Sequence, residues 1–220
     1  MTARNSARVP EIIRILKKEY PDPKPFLHFR TPLDLLVAVI LSARCTDKRV
    51  NMVTPELFRK YPDARAYAES DPAELESDIH STGFFRNKAK NIRAAAKKIL
   101  DDYGGKVPET MEELLTLPGV ARKTANIVLQ GAFHKVEGIA VDVHVHRVSG
   151  RLGLCQSEDP EKAERELLEV IPREAWGDFN FWLVSHGRAV CQARKPKCEI
   201  CALRKLCPYF AALKRGKIGS

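Results

Sequence analysis

The residues with the most evident chemistry stand close together near the C-terminal end. Cys191, Cys198, Cys201 and Cys207 fall within seventeen positions in the pattern C-x6-C-x2-C-x5-C and make up four of the six cysteines in the chain. Four thiolates suit either a structural zinc ion or an iron-sulfur cluster. Zinc sites usually pair two short C-x2-4-C knuckles, and only Cys198 and Cys201 form one, whereas single cysteines at longer reach suit the corners of a cubane. Spacing alone leaves both open. Cys45 and Cys155 stand apart and read as ordinary buried small residues. Arg188, Arg194, Lys195, Lys197, Arg204 and Lys205 surround the cluster, with only Glu199 opposing them. Part of that charge can neutralise a net-negative thiolate centre. The rest is available for phosphate, with Arg194, Lys195 and Lys197 on a loop pinned at both ends by Cys191 and Cys198.

A second stretch, LPGVARKTANIVLQ from Leu117 to Gln130, puts cations where a helix disfavours them. Its Pro-Gly pair reads as a tight turn, and Ala121 to Gln130 reads as a helix with Ala121, Ala125, Val128 and Leu129 on its apolar face. Arg122 and Lys123 then lie in the first turn, beside exposed N–H groups, where each cation costs about 0.3 to 1 kcal/mol. Downstream, VDVHVHR offers Asp142 as a helix cap or as a carboxylate able to move a proton. In an arbitrary protein the bland readings, a solvated lysine and a simple cap, would win for either residue alone. His144 and His146 read as packed or surface residues rather than metal ligands, and Arg147 and Arg151, one turn apart, as contacts to phosphate or carboxylate.

The elements that must hold these groups read as helices. Pro10 opens a short helix through Ile12, Ile13 and Leu16 that stops at Pro21, where PDPKP reads as a linker. Thr31-Pro32-Leu33-Asp34 offers a cap, a proline at the first helical position and an acidic third residue. Leu33, Leu36, Val37, Ile40 and Leu41 follow, and Leu35 and Val39 extend apolarity around the helix, as in the buried centre of a domain. Asp71-Pro72-Ala73-Glu74 and Thr110-Met111-Glu112-Glu113 are two further capping boxes, and Phe84 to Tyr103 is a long helical run stopped by Gly104-Gly105. Val141 to His146 alternates like a strand but also fits a helix through Val141, Val145, Val148 and Leu152 capped by Asp142, and the helix is preferred. The chain is therefore expected to be all-α, with the tail KRGKIGS frayed.

Composition bounds the function class. The 220 residues are 44% hydrophobic and carry 37 Lys and Arg against 28 Asp and Glu, a net charge of +9. A basic globular protein most often meets nucleic acid or another polyanion. The stretch MTARNSARVPEII has no apolar core of signal-peptide length, and the longest apolar run, Leu35 to Leu41, is far too short to span a bilayer. A cytoplasmic location is expected, where clustered cysteines point to metal rather than to disulfides.

Taken together, LPGVARKTA, VDVHVHR and the C-x6-C-x2-C-x5-C tail resemble the endonuclease III family of base-excision DNA glycosylases, in order and over about Pro10 to Pro208. The resemblance implies an all-α, two-domain helix-hairpin-helix DNA glycosylase fold. A six-helix barrel domain would span 25–135 and contain the helix-hairpin-helix at about 111–130. A discontinuous helical domain of 1–24 and 136–220 would enclose a 4Fe-4S cluster held by Cys191, Cys198, Cys201 and Cys207, with the active-site cleft between the domains. Lys123 would be the nucleophile and Asp142 its acidic partner.

The implied chemistry is attack of Lys123 on C1′ of a flipped nucleotide, loss of the base, and elimination through a Schiff base that breaks the strand 3′ to the lesion. This makes a bifunctional DNA glycosylase and AP lyase acting as a monomer on oxidised pyrimidines, such as thymine glycol, or on abasic sites in double-stranded DNA, and hence nucleoid-associated. Gly119, Val120 and Ala121 would contact phosphate through the backbone of the hairpin. Arg44 in LSARCTD and Phe84 in STGFFRN would sit on the two loops that insert into the duplex. The family generally has glutamine where Arg44 stands, commonly leucine near Phe84, and more often a second glycine where Ala121 stands. Arginine prefers guanine as an orphaned base. Alanine at 121 is strained if that position needs positive φ and harmless if it is the first helical residue. Relatives that remove adenine from mismatches share the cysteines, but usually lack the lysine and continue into a further domain, whereas this sequence ends thirteen residues after Cys207. A third reading keeps the hairpin and cluster as a non-catalytic DNA-binding module.

Overall fold

The computed structural model describes residues 7–216. The first six and last four residues lie outside the described residues, and with them part of MTARNSARVPEII and of the KRGKIGS tail. The chain divides into two units, one of Pro25–Glu137 and the other combining Met1–Lys24 with Gly138–Ser220. The elements are helical throughout, with no strand among the described residues.

The unit Pro25–Glu137 is built around a helix with no solvent face. Thr31 and Asp34 close a reciprocal capping box, and Pro32 takes the first helical position, so α2 (Pro32–Ser42) starts where its sequence dictates. Every residue from Asp34 to Leu41 is buried. Around it pack α3 (Asp47–Lys60), α6 (Phe85–Tyr103) and α8 (Arg122–Phe133). The helices α4 (Ala64–Glu69) and α5 (Pro72–Asp78) lie against α6, and the four-residue α7 (Met111–Leu114) lies against α8. A Cβ added at Gly131 would stand 2.7 Å from Leu35 Cδ2, so glycine is what lets α8 approach α2 so closely.

Two boundaries and the bonding of two capping boxes differ from the sequence expectation. The long run begins at Phe85 because Phe84 is left-handed, with φ 48 and ψ 28, and offers no side-chain cap. The hairpin's second helix runs on to Phe133 because Ala132 and Phe133 still pack against the core, and His134 ends it at φ 56. Of the three expected capping boxes, reciprocal bonding is found at Thr31 and Asp34. Asp71 accepts from the Glu74 N–H, and Thr110 accepts from the Glu113 N–H while donating its hydroxyl to the Glu113 carboxylate.

The other unit is held together by bonds between segments remote in sequence. Its helices are α1 (Val9–Glu19), α9 (Val143–Leu152), α10 (Pro160–Val170), α11 (Trp176–Ala189) and α12 (Pro208–Lys214). α11 packs on both α9 and α1, and α12 packs on α9. Trp182 Nε1 donates to Tyr20 O at 3.1 Å, and Arg8 Nη1 donates to Leu206 O at 2.7 Å, which ties the N-terminal helix to the C-terminal segment. The ambiguous VDVHVH stretch is helical. Val145, Val148 and Leu152 form its buried stripe, and the i, i+3, i+7 spacing that they share outweighs the short alternation. No helix among the described residues is long and apolar enough to cross a membrane.

Leu36 is 1% exposed at the centre of α2. Replacing it with alanine is expected to cost about 2 to 5 kcal/mol, by loss of burial and an unfilled cavity, read as a lowered urea midpoint with an unchanged m-value.

Candidate functional site

The hairpin between α7 and α8 is built by successively tighter turns. The Leu115 N–H donates to Met111 O at 3.0 Å and the Thr116 N–H to Glu113 O at 3.0 Å, after which Val120 N–H closes Leu117-Pro118-Gly119-Val120 onto Leu117 O at 3.1 Å. Proline at the second position and glycine with φ 80 at the third make a type II turn. The Val120 N–H is thus used inside the turn and its side chain is buried, so Gly119 and Ala121 are the parts of the turn exposed outward. Ala121 has φ -99 and ψ 170, an extended conformation that alanine adopts without strain, so this departure from the family costs the backbone nothing.

Lys123 is the second residue of α8 and is exposed. No side chain caps this helix, whereas Thr31, Thr46, Asp63, Asp71, Thr110, Asp142 and Asp159 cap others. A helix start carries positive potential suited to an external anion, and here it lies next to the amine.

Asp142 belongs to the other unit and caps α9. Its Oδ1 accepts from the N–H groups of His144 and Val145, both at 2.8 Å, which fixes the carboxylate and leaves Oδ2 outside the cap. The group is half-buried. His144 Nδ1 lies 3.1 Å from Arg147 Nη2 and His146 Nε2 lies 2.8 Å from Ser157 O, so both rings are engaged locally.

Arg44 and Phe84 come together although forty residues separate them in sequence. Arg44 Cζ lies 5.4 Å from the Phe84 ring centroid, and Phe84 is 62% exposed. Both are left-handed, with φ 53 and φ 48. That conformation costs a non-glycine residue about 1 to 2 kcal/mol, and such strain gathers where a site is being shaped. Lys88, which sequence inspection did not single out, stands behind them. Its available signal was a charged residue in the stripe Lys88, Ile92, Ala95, Ala96 and Ile99, otherwise the buried apolar face of α6.

The four clustered cysteines line one cavity of about 20 Å³, shared with Val148, Leu152, His186 and Leu203 among others. All four are free thiols. Burial pushes the thiols of Cys198, Cys201 and Cys207 up, Cys201 to about 11, so a centre that takes them as thiolates must displace protons. His186 is also buried and bridges the Tyr20 hydroxyl at 3.1 Å and Cys201 Sγ at 3.5 Å. Burial pushes its imidazole down to about 4, which keeps the ring neutral. No group of three or more His, Cys, Asp or Glu among the described residues is gathered to hold a metal ion.

Arg147 and Arg151, expected to contact phosphate or carboxylate, bond main-chain carbonyls of their own unit. Arg147 donates to Cys191 O at 3.1 Å and Gly187 O at 3.0 Å, and Arg151 donates to Gln192 O at 2.7 Å and Ala193 O at 3.0 Å, with Cys191 Sγ at 3.4 Å. The end of α11 and the loop after it leave carbonyls without helical partners, and these arginines satisfy them. Arg194, Lys195 and Lys197 are exposed on that loop, with Lys195 at φ 49.

Gly119 combines positive φ with a Cβ position only 2.8 Å from Asn91 Cβ. Gly119→Ala is expected to cost about 1 to 3 kcal/mol through strain and collision, seen as a lower urea midpoint and, because the hairpin shifts, weaker retention on duplex DNA.

Residues 37–173 match the family model described as HhH-GPD superfamily base excision DNA repair protein. The chain is 57% identical over 210 residues to endonuclease III of Synechocystis sp., covering 96% of each. It is 47% identical over 189 residues to endonuclease III of Bacillus subtilis, covering 86% of each. It is also similar to the solved structure of a trapped endonuclease III–DNA covalent intermediate in an estranged-adenine complex. There the TM-score is 0.91 at 42% identity, covering 98% of this chain and 100% of that one. With the hairpin, the Asp142 helix and relatives this similar over nearly the whole length, the chain belongs to the endonuclease III family within the HhH-GPD superfamily of base excision DNA repair proteins.

Proposed function

We propose that Lys123 is the nucleophile of this bifunctional DNA glycosylase and AP lyase, and that Asp142 is its carboxylate partner. The observation that carries the assignment is an exposed amine on the second residue of an uncapped helix, immediately after the Gly119 turn. A phosphate seated at that helix start would place the sugar within reach of the amine. The Lys123 nitrogen lone pair forms a bond to C1′ as the C1′–N bond to the base breaks, and the base leaves with a proton. Ring opening gives a protonated Schiff base, loss of the C2′ proton breaks the C3′–O bond, and water then frees the lysine. Asp142 Oδ2, outside the cap, is the atom available to take and return protons, while Oδ1 holds the group in place.

Double-stranded DNA carrying oxidised pyrimidines, such as thymine glycol, or abasic sites is the proposed substrate, met by the monomer in the bacterial cytoplasm. Gly119, Ala121 and the first turn of α8 would take phosphate, with Val120 shaping the turn. Arg44 and Phe84 would enter the duplex, and Arg194, Lys195 and Lys197 would add phosphate contacts. The unit Pro25–Glu137 reads as the barrel domain with the helix-hairpin-helix, and the other as the cluster domain.

The cysteine centre fits a 4Fe-4S group: four thiols around one cavity, with Arg151 donating to Cys191 Sγ and His186 Nε2 lying 3.5 Å from Cys201 Sγ. When bound, such a group cross-links the 191–207 segment and brings redox capacity to it. Cys191, Cys198, Cys201 and Cys207 would hold it, and Arg147 and Arg151 orient the loop through its carbonyls.

Borohydride reduction on thymine-glycol DNA tests the catalytic assignment. The intact protein should be trapped as a covalent adduct and Lys123→Ala should bind without trapping; an adduct that persists in Lys123→Ala, or binding without an adduct in the intact protein, would sink it. Metal analysis of the purified chain tests the centre. About four irons per chain with inorganic sulfide are expected, lost together in Cys201→Ser, and one zinc per chain would refute the cluster.

A further inference from the structure

Lys88 occupies a core position that its charge should forbid. It is 4% exposed, and burial pushes its amine below the ordinary lysine range, partly opposed by the nearby Cys45 thiol. Its Nζ donates to Leu41 O and to Thr82 O, both at 2.8 Å. Leu41 is in the last turn of α2 and Thr82 ends the 3-10 turn His80–Thr82, so both acceptors sit at helical C-terminal ends. Carbonyls there lack intrahelical partners and carry partial negative charge, which is where an ammonium is most useful. One side chain on α6 thus joins the exits of two separate segments.

Those exits lead to the two left-handed residues. The chain leaves α2 through the turn Ser42-Ala43-Arg44-Cys45, closed by the Cys45 N–H onto Ser42 O at 3.0 Å, with Arg44 in the position that glycine normally takes. On the other side Gly83 and Phe84 follow Thr82 with φ 69 and φ 48. Arg44 and Phe84 then meet at 5.4 Å. We propose that Lys88 is a positioning residue that holds the Arg44 and Phe84 segments at a fixed separation, so that the pair meets duplex DNA as one preformed wedge. The proposal rests on the reading of Arg44 and Phe84 as DNA contacts. Its physical content is preorganisation: two strained turns tethered to one buried ammonium lose less freedom on insertion than two independent loops.

A mutant cycle in the full-length, cofactor-loaded protein separates positioning from general stability. The probe is a duplex with a tetrahydrofuran abasic analogue, read by fluorescence anisotropy, with urea midpoints measured in parallel. Lys88→Met should weaken binding roughly tenfold, Arg44→Ala/Phe84→Ala should weaken it at least as much, and the triple variant should be no weaker than that double variant. Losses that multiply in the triple variant would show that Lys88 acts independently of the pair and overturn the proposal. An unchanged affinity in Arg44→Ala/Phe84→Ala would instead remove the DNA-contact reading beneath it. If Lys88→Met does not fold, Lys88→Gln, whose amide keeps two donors, takes its place in the same cycle and is judged by the same coupling.

Discussion

The burial of α2 on all sides is the constraint on which the Lys123-bearing unit depends. Because residues Asp34 to Leu41 are all buried, the surrounding helices must close completely over them, and each is fixed by what it covers. The Gly131 approach to Leu35 brings α8 tightly against α2, and so sets the start of α8, where Lys123 stands. The exit of α2 leads directly to Arg44, and its Leu41 carbonyl is one of the two held by Lys88. One apolar helix therefore references both the proposed nucleophile and the proposed wedge, which is more exact than a site assembled from free loops.

The other unit joins segments that are far apart in sequence, and polar bonds tie them together. Tyr20 is bonded through its carbonyl to Trp182 and through its hydroxyl to His186, and Arg8 reaches Leu206. The net charge of +9 consequently serves two purposes. Arg147 and Arg151 are spent internally on the carbonyls of the cysteine loop, while Arg194, Lys195 and Lys197 remain exposed. Counting cations in the sequence does not separate these uses.

Local rules of folding are broken in a few places, and apart from the left-handed His134 that ends α8 those places coincide with the proposed contacts. α8 starts with two cations and no side-chain cap, and Arg44, Phe84 and Lys195 are non-glycine residues with positive φ. Each lowers stability locally, and the buried core around α2 offsets it. Ala121 is the instructive contrast: it departs from the family pattern yet is conformationally at ease, so the departure adds no backbone strain.

Much of the architecture was legible in the sequence because helix signals are local. Thr31-Pro32-Leu33-Asp34, Gly104 and the Val145, Val148 and Leu152 stripe each act within a turn or two of themselves, so spacing alone identifies them. The cysteine pattern, Lys123 and Asp142 were legible as candidates for a related reason, since each has an unusual side chain in an unusual local place. What only the tertiary structure decided is the left-handed pairing of Arg44 with Phe84, the junction made by Lys88, and the diversion of Arg147 and Arg151 to loop carbonyls. For Lys88, Arg147 and Arg151 the partners are mainly main-chain carbonyls, and for Arg44 a ring on a segment forty residues away. Every residue carries a carbonyl, so side-chain identity leaves no mark of which one is used, and only the packing of distant segments selects it.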